Sequence, residues 1–151
     1  MGMIDIGDKK ITNRVAVVEA RICLNTSVIK LIRRKKIPKG DVLESARIAG
    51  ILAAKKTSEL IPLCHPIPIE FVDIKFSLKN KEIEIKATVR GQAKTGVEME
   101  AFTACAVAAI TVYDMCKAFD REAVIKSVML LKKSGGKSGD FVRNSIKTEG
   151  I

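Results

Sequence analysis

The sequence predicts an α+β fold in which an antiparallel sheet is covered by helices. Short alternating apolar runs, which suit half-buried strands, are interleaved with helical patterns. The two central runs are separated only by Lys79-Asn80-Lys81, a hairpin connection. A long alanine-rich apolar stretch then stands between that hairpin and the last strand. At 151 residues the chain fits one domain, a size that buries about 70% of the unfolded surface.

From Arg14 to Leu24, the alternation Ala16, Val18, Ala20, Ile22, Leu24 reads as a strand with one buried face. Thr26 and Ser27 are placed to cap a short helix with Val28, Leu31 and Ile32 as its apolar face. The basic run from Arg33 to Lys36 closes it at the end where cations are favoured. Pro38, Lys39 and Gly40 form a turn. Asp41 and Glu44 have capping-box spacing, opening a helix expected to run to about Leu60 before Pro62. Its alanines, Ala46, Ala49, Ala53 and Ala54, permit close packing. Ile69 to Leu78 and Ile83 to Val89 read as the hairpin.

Met99 to Phe119 is apolar on nearly every side, which predicts a helix covered by its own sheet and by a neighbour, and so an oligomer. Val124 to Leu131 returns to strand composition. From Ser134 the chain is Gly-, Ser- and Lys-rich, so residues 1–151 read as one domain with a partly mobile tail at about 134–151. The order β, α, α, β, β, α, β is a split βαβ arrangement with one added helix, the ferredoxin-like plan. That plan hosts many activities, so function must come from the site.

Composition narrows the classes. Hydrophobic residues at 47% and charged residues at 29% match globular averages and argue against disorder or a fibrous repeat. No run of 18 apolar residues appears, and Met1-Gly2-Met3-Ile4-Asp5 lacks a signal-peptide pattern, so a cytoplasmic protein without a membrane role is expected. Gly2 is not read as a lipid-anchor site, because Ile6 stands where that signal needs Ser or Thr. Cys23, Cys64, Cys105 and Cys116 have no close pairing, which suits free thiols rather than a disulfide framework or zinc site. With 27 Lys plus Arg against 17 Asp plus Glu the net charge is +10, a field that attracts anions.

Few residues suit chemistry. His65, the single histidine, lies between Pro62 and Pro66, whose fixed φ angles stiffen the loop presenting it. It is a candidate proton shuttle or a histidine satisfying a loop carbonyl. Glu98 and Glu100 flank Met99 at a strand-to-helix junction. They are either dipole partners of a helix start or acceptors for a guanine-like N–H edge. Asp114 and Lys117, spaced i, i+3, meet on one helix face. The carboxylate either keeps the ammonium charged or shares burial that drives the two pKa values apart. Lys133-Ser134-Gly135-Gly136-Lys137-Ser138-Gly139 combines bare backbone with two ammonium groups, as a phosphate site or a basic tail would. It is not a P-loop, since Leu131 occupies the position of the required glycine.

Taken together, these segments resemble the molybdenum cofactor biosynthesis protein C family. The resemblance runs through Thr12, Arg14 and Ala16, Lys39 to Val42, Ala46 to Ile51, Leu60 to Pro66, Thr95 to Ala101, Tyr113 to Ala118, and Lys133 to Phe141. Ile4, Gly7 and Phe102 depart from the usual pattern, all outside the matching functional positions. The resemblance implies a lyase acting on (8S)-3′,8-cyclo-7,8-dihydroguanosine 5′-triphosphate, the product of a radical SAM GTP cyclase. It would yield cyclic pyranopterin monophosphate and pyrophosphate. It implies substrate binding by Leu63, Cys64, His65, Met99 and Glu100, with Glu98 and Lys133 as further matching functional positions; beside them, Lys137 of the same basic loop is expected to face the triphosphate with Lys39 and Lys133. Chemistry would fall to Asp114, Lys117, His65 and Lys39. Further implications are a homohexamer, a trimer of dimers with sites at the dimer interface; the sequence itself shows no metal site. Mg²⁺ is expected only with the triphosphate. The remaining alternatives are a nucleic-acid-binding domain, disfavoured by 4% aromatics, and a non-catalytic nucleotide-binding subunit.

Overall fold

In the first strand, Ala16, Val18, Ala20 and Ile22 are fully buried while their neighbours face the other way, so period-2 alternation fixes which side meets the core. The computed structural model describes residues 1–144, and the expected looseness of 145–151 lies outside the described residues. The elements are β1 (Thr12–Cys23), α1 (Thr26–Arg33), α2 (Val42–Lys55), α3 (Thr57–Leu60), β2 (Ile69–Leu78), β3 (Glu82–Ala93), α4 (Glu98–Cys116), β4 (Val124–Ser134) and β5 (Phe141–Val142).

The strands form one antiparallel sheet in the order β2-β3-β1-β4-β5. The first four are the split βαβ order expected from sequence. β5 adds an edge from within the glycine-rich tail: Phe141 pairs with Lys133 and Val142 with Lys132, so this part of the tail is in the sheet. α4 lies on the face of β1, β3 and β4 that bears Val18 and Ile22, and α2 packs on α4 and β2. The opposite face carries a charged network in which Arg21 bonds Glu19 at 2.9 Å and approaches Glu82 and Glu84.

Three helix boundaries differ from expectation, one of them the end of α4, which stops at Cys116 rather than Phe119. Thr26 and Ser27 do not cap α1, because the helix already includes them. Asn25 stands at the cap, and its backbone N–H donates to Asp120 Oδ2 at 2.7 Å, tying the helix start to the β4 approach. Asp41 caps α2 by accepting from the N–H groups of Leu43 and Glu44, but Glu44 does not complete the box and turns to Arg47. α2 stops at Lys55 rather than Leu60: Lys56, at φ −111 and ψ 13, leaves the regular helix, and the short α3 takes up the remainder from Thr57, whose hydroxyl donates to the carbonyls of Ala53 and Ala54.

α4 sits close to the sheet because its inner face is small: Ala101, Ala104, Cys105, Ala108 and Ala109 are fully buried. The Cys105 thiol donates to the carbonyls of Ile85 at 3.1 Å and Val18 at 3.5 Å, and burial pushes it up to about 12. By length and composition α4 is the one described helix able to cross a membrane, yet here it is the core of the fold.

Gly50 on α2 is the point of closest approach: a Cβ there would meet Ile74 Cδ1 and lie 2.7 Å from the Ala104 carbonyl oxygen. Gly50→Ala gains about 1 kcal/mol in helix propensity. The backbone oxygen cannot rotate away, so overpacking of about 1–3 kcal/mol wins. Urea denaturation of the variant is expected to show a lower midpoint, and an unchanged or higher one refutes this account of the α2–α4 contact.

Candidate active site

The two carboxylates in the first turn of α4 have separate surroundings. Glu98 faces a cavity and bonds Lys133 Nζ at 2.9 Å. Glu100, 2% exposed, points inward, and its Oε2 has no hydrogen-bond partner among the described residues. The two do not share an extended face, because the helix has already begun at Glu98. Burial first, and Glu98 as a repelling neighbour, raise the Glu100 carboxyl above the ordinary carboxylate range. The Cys64 thiol is likewise raised, by burial and then by Glu100 and Glu98, which puts the loop from Leu63 to His65 beside both carboxylates.

Two recesses meet here. A pocket of about 310 Å³ is walled by Leu63, Cys64, His65 and Ile67 on one side and by Glu98 and Met99 on another, with Ile4 and Ile6 from the N-terminal segment. Lys9, Thr95, Gly96 and Glu98 line both this pocket and a larger cavity of about 770 Å³. The larger space is strongly cationic: Lys9, Lys10, Arg14, Lys94, Lys133 and Lys137 face it against only Asp8 and Glu98.

Arg14 builds that wall. Its guanidinium donates to the carbonyls of Gly135 (3.0 Å), Lys94 (3.3 Å) and Ala93 (3.4 Å), joining the end of β3 to the glycine loop. Gly135 and Gly136, at φ +98 and +83, pack on Asn13 and Arg14, where a Cβ would collide with Arg14 or the Asn13 carbonyl. Lys94 Nζ donates to the Gly7 carbonyl at 2.6 Å and holds the N-terminal segment along the cavity. Sequence reading assigned no role to Lys9, Lys10 or Lys94, and gave Arg14 none beyond its place in the resemblance. The available signal was the Lys9-Lys10 pair, which spacing alone does not bring to β3 and β4.

Asp114, Lys117 and Lys39 gather elsewhere. Asp114 Oδ1 lies 2.7 Å from Lys117 Nζ, and Oδ2 lies 2.8 Å from Lys39 Nζ, which also donates to the Asp114 carbonyl at 3.0 Å. Asp114 and Lys117 side chains are about half exposed, so burial does not drive their pKa values apart. Hydrogen bonds from Lys117, then Lys39, hold Asp114 down to about 2, and Asp114 raises Lys117 above the usual lysine value. Both are locked in their charged forms. Sixteen residues of α4 separate Glu98 from Asp114, about 24 Å of helix. One chain therefore brings Lys133 and Lys137 to the cavity but leaves Lys39 with Asp114 at the far end of α4. Among the described residues no cluster of three His, Cys, Asp or Glu side chains suits a metal ion.

Residues 3–136 match the MoaC family. The chain is 54% identical over 144 residues to the cyclic pyranopterin monophosphate synthase of Peptoclostridium acidaminophilum, covering 95% of this chain and 92% of that protein. It is 51% identical over 142 residues to the protein of the same name from Brevibacillus brevis, covering 93% and 89%. The corresponding protein of Chloroflexus aurantiacus is 50% identical over 143 residues, covering 93% and 88%.

Because the folded-state value of Asp114 is depressed, the favourable effect of its lysine partners is complete above the ordinary value of 3.8 and is lost as pH falls through about 2. Carboxylate NMR is expected to place the Asp114 midpoint near that lower value. Lys117→Met or Lys39→Met should move the midpoint upwards, and an unmoved midpoint in both variants rules out the three-residue cluster in solution.

Proposed function

The chain belongs to the MoaC family, and from that membership we propose that it is a cyclic pyranopterin monophosphate synthase. It is a lyase of molybdenum cofactor biosynthesis. Its substrate is (8S)-3′,8-cyclo-7,8-dihydroguanosine 5′-triphosphate, and its products are cyclic pyranopterin monophosphate and pyrophosphate. The observation that carries this reading is the pair of joined recesses sharing Glu98: a cationic cavity suited to a polyphosphate, and a smaller pocket with carboxylates beside it suited to an N–H-bearing base.

In this reading Leu63, Cys64, His65 and Met99 hold the base-derived rings, and Glu98 and Glu100 accept hydrogen bonds from them. Lys133 and Lys137 face the phosphates. A partner subunit's Lys39 would join them, and positive charge would offset the charge that grows as pyrophosphate leaves. His65 is the proton-carrying side chain of the loop from Leu63 to His65. Asp114, held ionised between two ammonium groups, is not an acid at that pH. It instead orients Lys39 and Lys117, and either lysine releases a proton only once substrate has loosened its contact with Asp114.

The protein acts as a homohexamer, a trimer of dimers, with each site at a dimer interface. Two features support this: the separation of about 24 Å between the two candidate clusters along α4, and the exposed Ile48, Leu52 and Ile110 on the adjoining helices α2 and α4. A second copy can bring an Asp114 end to a Glu98 end. The enzyme is cytoplasmic and takes its substrate from a radical SAM GTP cyclase. The cation excess of the cavity disfavours a resident divalent ion. Mg²⁺ would come with the triphosphate, screening its charge there.

Incubating the purified protein with the cyclised GTP should release pyrophosphate and a pterin; tight binding with no turnover would sink the enzymatic reading. Lys117→Ala and Asp114→Asn should each abolish turnover while the oligomer stays folded, and full activity in either removes that residue from the chemistry. Mixing unfolded Asp114→Asn and Lys133→Ala chains and refolding them together should restore part of the turnover that each lacks alone. Failure of well-formed mixed oligomers to do so would place both clusters' work within one chain.

A further inference from the structure

α1 ends in more cations than its dipole calls for. Between Lys30 and Lys36 stand five basic residues, all exposed, and Lys79 and Lys81 lie in the turn between β2 and β3. One or two would suffice to complement the helix C-terminus. Three of the seven have partners. Arg33 donates to the carbonyls of Leu78 at 2.7 Å and Lys79 at 3.5 Å, which ties the helix end to the hairpin. Lys35 Nζ lies 3.0 Å from Asp41, which ties the following turn to the cap of α2, and Lys79 lies 3.6 Å from Glu84. The exposed side chains of Lys30, Arg34, Lys36 and Lys81 make no hydrogen bond or ion pair among the described residues. They are carried on a platform that the other three hold rigid.

The backbone under them is also set in advance. Lys35 is the one non-glycine residue at positive φ among the described residues, at 52°. Its N–H donates to the Ile32 carbonyl at 3.0 Å, and the N–H of Lys36 to the Leu31 carbonyl at 2.9 Å. Glycine usually occupies that position in such a helix ending, so the chain keeps a cation where a residue without a side chain would sit with less strain.

We propose that the exposed side of α1, with Lys36 and Lys81, is a docking surface for an acidic protein whose clustered carboxylates pair with the four unpartnered cations. The inference does not depend on the lyase reading. None of the four lines either recess of the candidate site, so a small anion finds no enclosure here, and an extended polyanion is required. Carboxylates border the patch on three sides. Asp41 and Glu44 lie beyond the α1 turn, and Glu82 and Glu84 follow the hairpin turn. Glu122 lies near the start of α1, where Asp120 accepts from the N–H groups of both Asn25 and Glu122. A phosphodiester chain running past the patch would meet those carboxylates, whereas a folded partner matches a bounded patch of mixed rim. Residues 25–40 and 79–81 contain no aromatic side chain on which a base could stack. A second copy of this chain would bring the same cations against the patch. Lys39 follows Lys36 by one turn and holds Asp114, so the docked protein sits beside that cluster.

Fluorescence anisotropy of the full chain with labelled polyglutamate of about 20 residues tests this, at about 0.1 M salt, where screening leaves only close contacts. The unaltered protein should bind, and K30A/R34A/K36A should bind about tenfold more weakly, a modest contribution from each exposed pair. The charge-conserving K30R/R34K/K36R should stay within about twofold. So should K55A/K86A/K132A, which removes three exposed lysines elsewhere. K9A/K10A/K137A, which strips the large cavity, should do the same. Equal loss in either of the last two variants, or no binding by the unaltered protein, overturns the proposal. Tighter binding of a 20-nucleotide oligouridine, lost in K30A/R34A/K36A, would also overturn it, by making the patch a nucleic-acid surface. The thermal midpoint of K30A/R34A/K36A should stay at that of the unaltered protein; a large fall would show that these side chains hold the fold instead, and overturns the assignment.

Discussion

The seat of α4 on the sheet is the contact on which the rest of the molecule depends. Its inner face is alanine and cysteine, so the helix axis lies close to β1 and β3, and Gly50 lets α2 come equally close from the side. Larger side chains would separate these layers and small ones leave little slack. Because the helix is continuous from Glu98 to Cys116, fixing its middle fixes both ends. Glu98 is thereby set against Lys133 from β4, and Asp114 against Lys39 from the turn before α2. Neither contact is local in sequence, and both follow from how one rod is laid across one sheet.

A net charge of +10 does not by itself build a site. What matters is how the charges are paired. On the outer sheet face Arg21 is surrounded by Glu19, Glu82 and Glu84, so its charge is locally cancelled. At the end of α4 one carboxylate is shared by two ammonium groups, a cluster with one positive charge in excess. In the large cavity cations outnumber carboxylates, and half of the cations are held by partners that also hold the wall. The same kinds of side chain thus serve as solvated surface, as an orienting cluster and as an anion recess, according to their neighbours.

Much of the fold was legible because periodicity records burial directly. The alternation of β1 and the hairpin of β2 and β3 appear at the expected places, and so does the alanine-rich helix, trimmed at its C-terminal end. The end of α2 was not legible, since neither Lys56 nor Thr57 is a helix breaker by type, and only the backbone shows the break at Lys56. Nor was the start of α1, where the partner of Asn25 is Asp120, 95 residues away. Within the candidate site, motif resemblance supplied residue identities but not their grouping. Lys39, Lys133 and Lys137 look equivalent as phosphate-binding lysines, yet only the latter two line the cavity in one chain. The N-terminal wall was unreadable for another reason. Its segment has no periodicity, and the bond from Lys94 to Gly7 that positions it spans 87 residues.

Cys105 turns the seat of α4 into something that can be timed. Its thiol lies between β1 and β3, donating to a carbonyl of each, and is held near pKa 12 by burial. A thiol in that state is not a nucleophile and is out of reach of any reagent. It becomes one only when the helix lifts from the sheet, so the rate of its alkylation is a clock for that opening. Cys64, half-buried in the loop beside Glu98 and Glu100, runs on a separate clock set by the loop alone. The protein thus carries, in two ordinary cysteines, separate reporters of the scaffold and of the pocket that the scaffold supports.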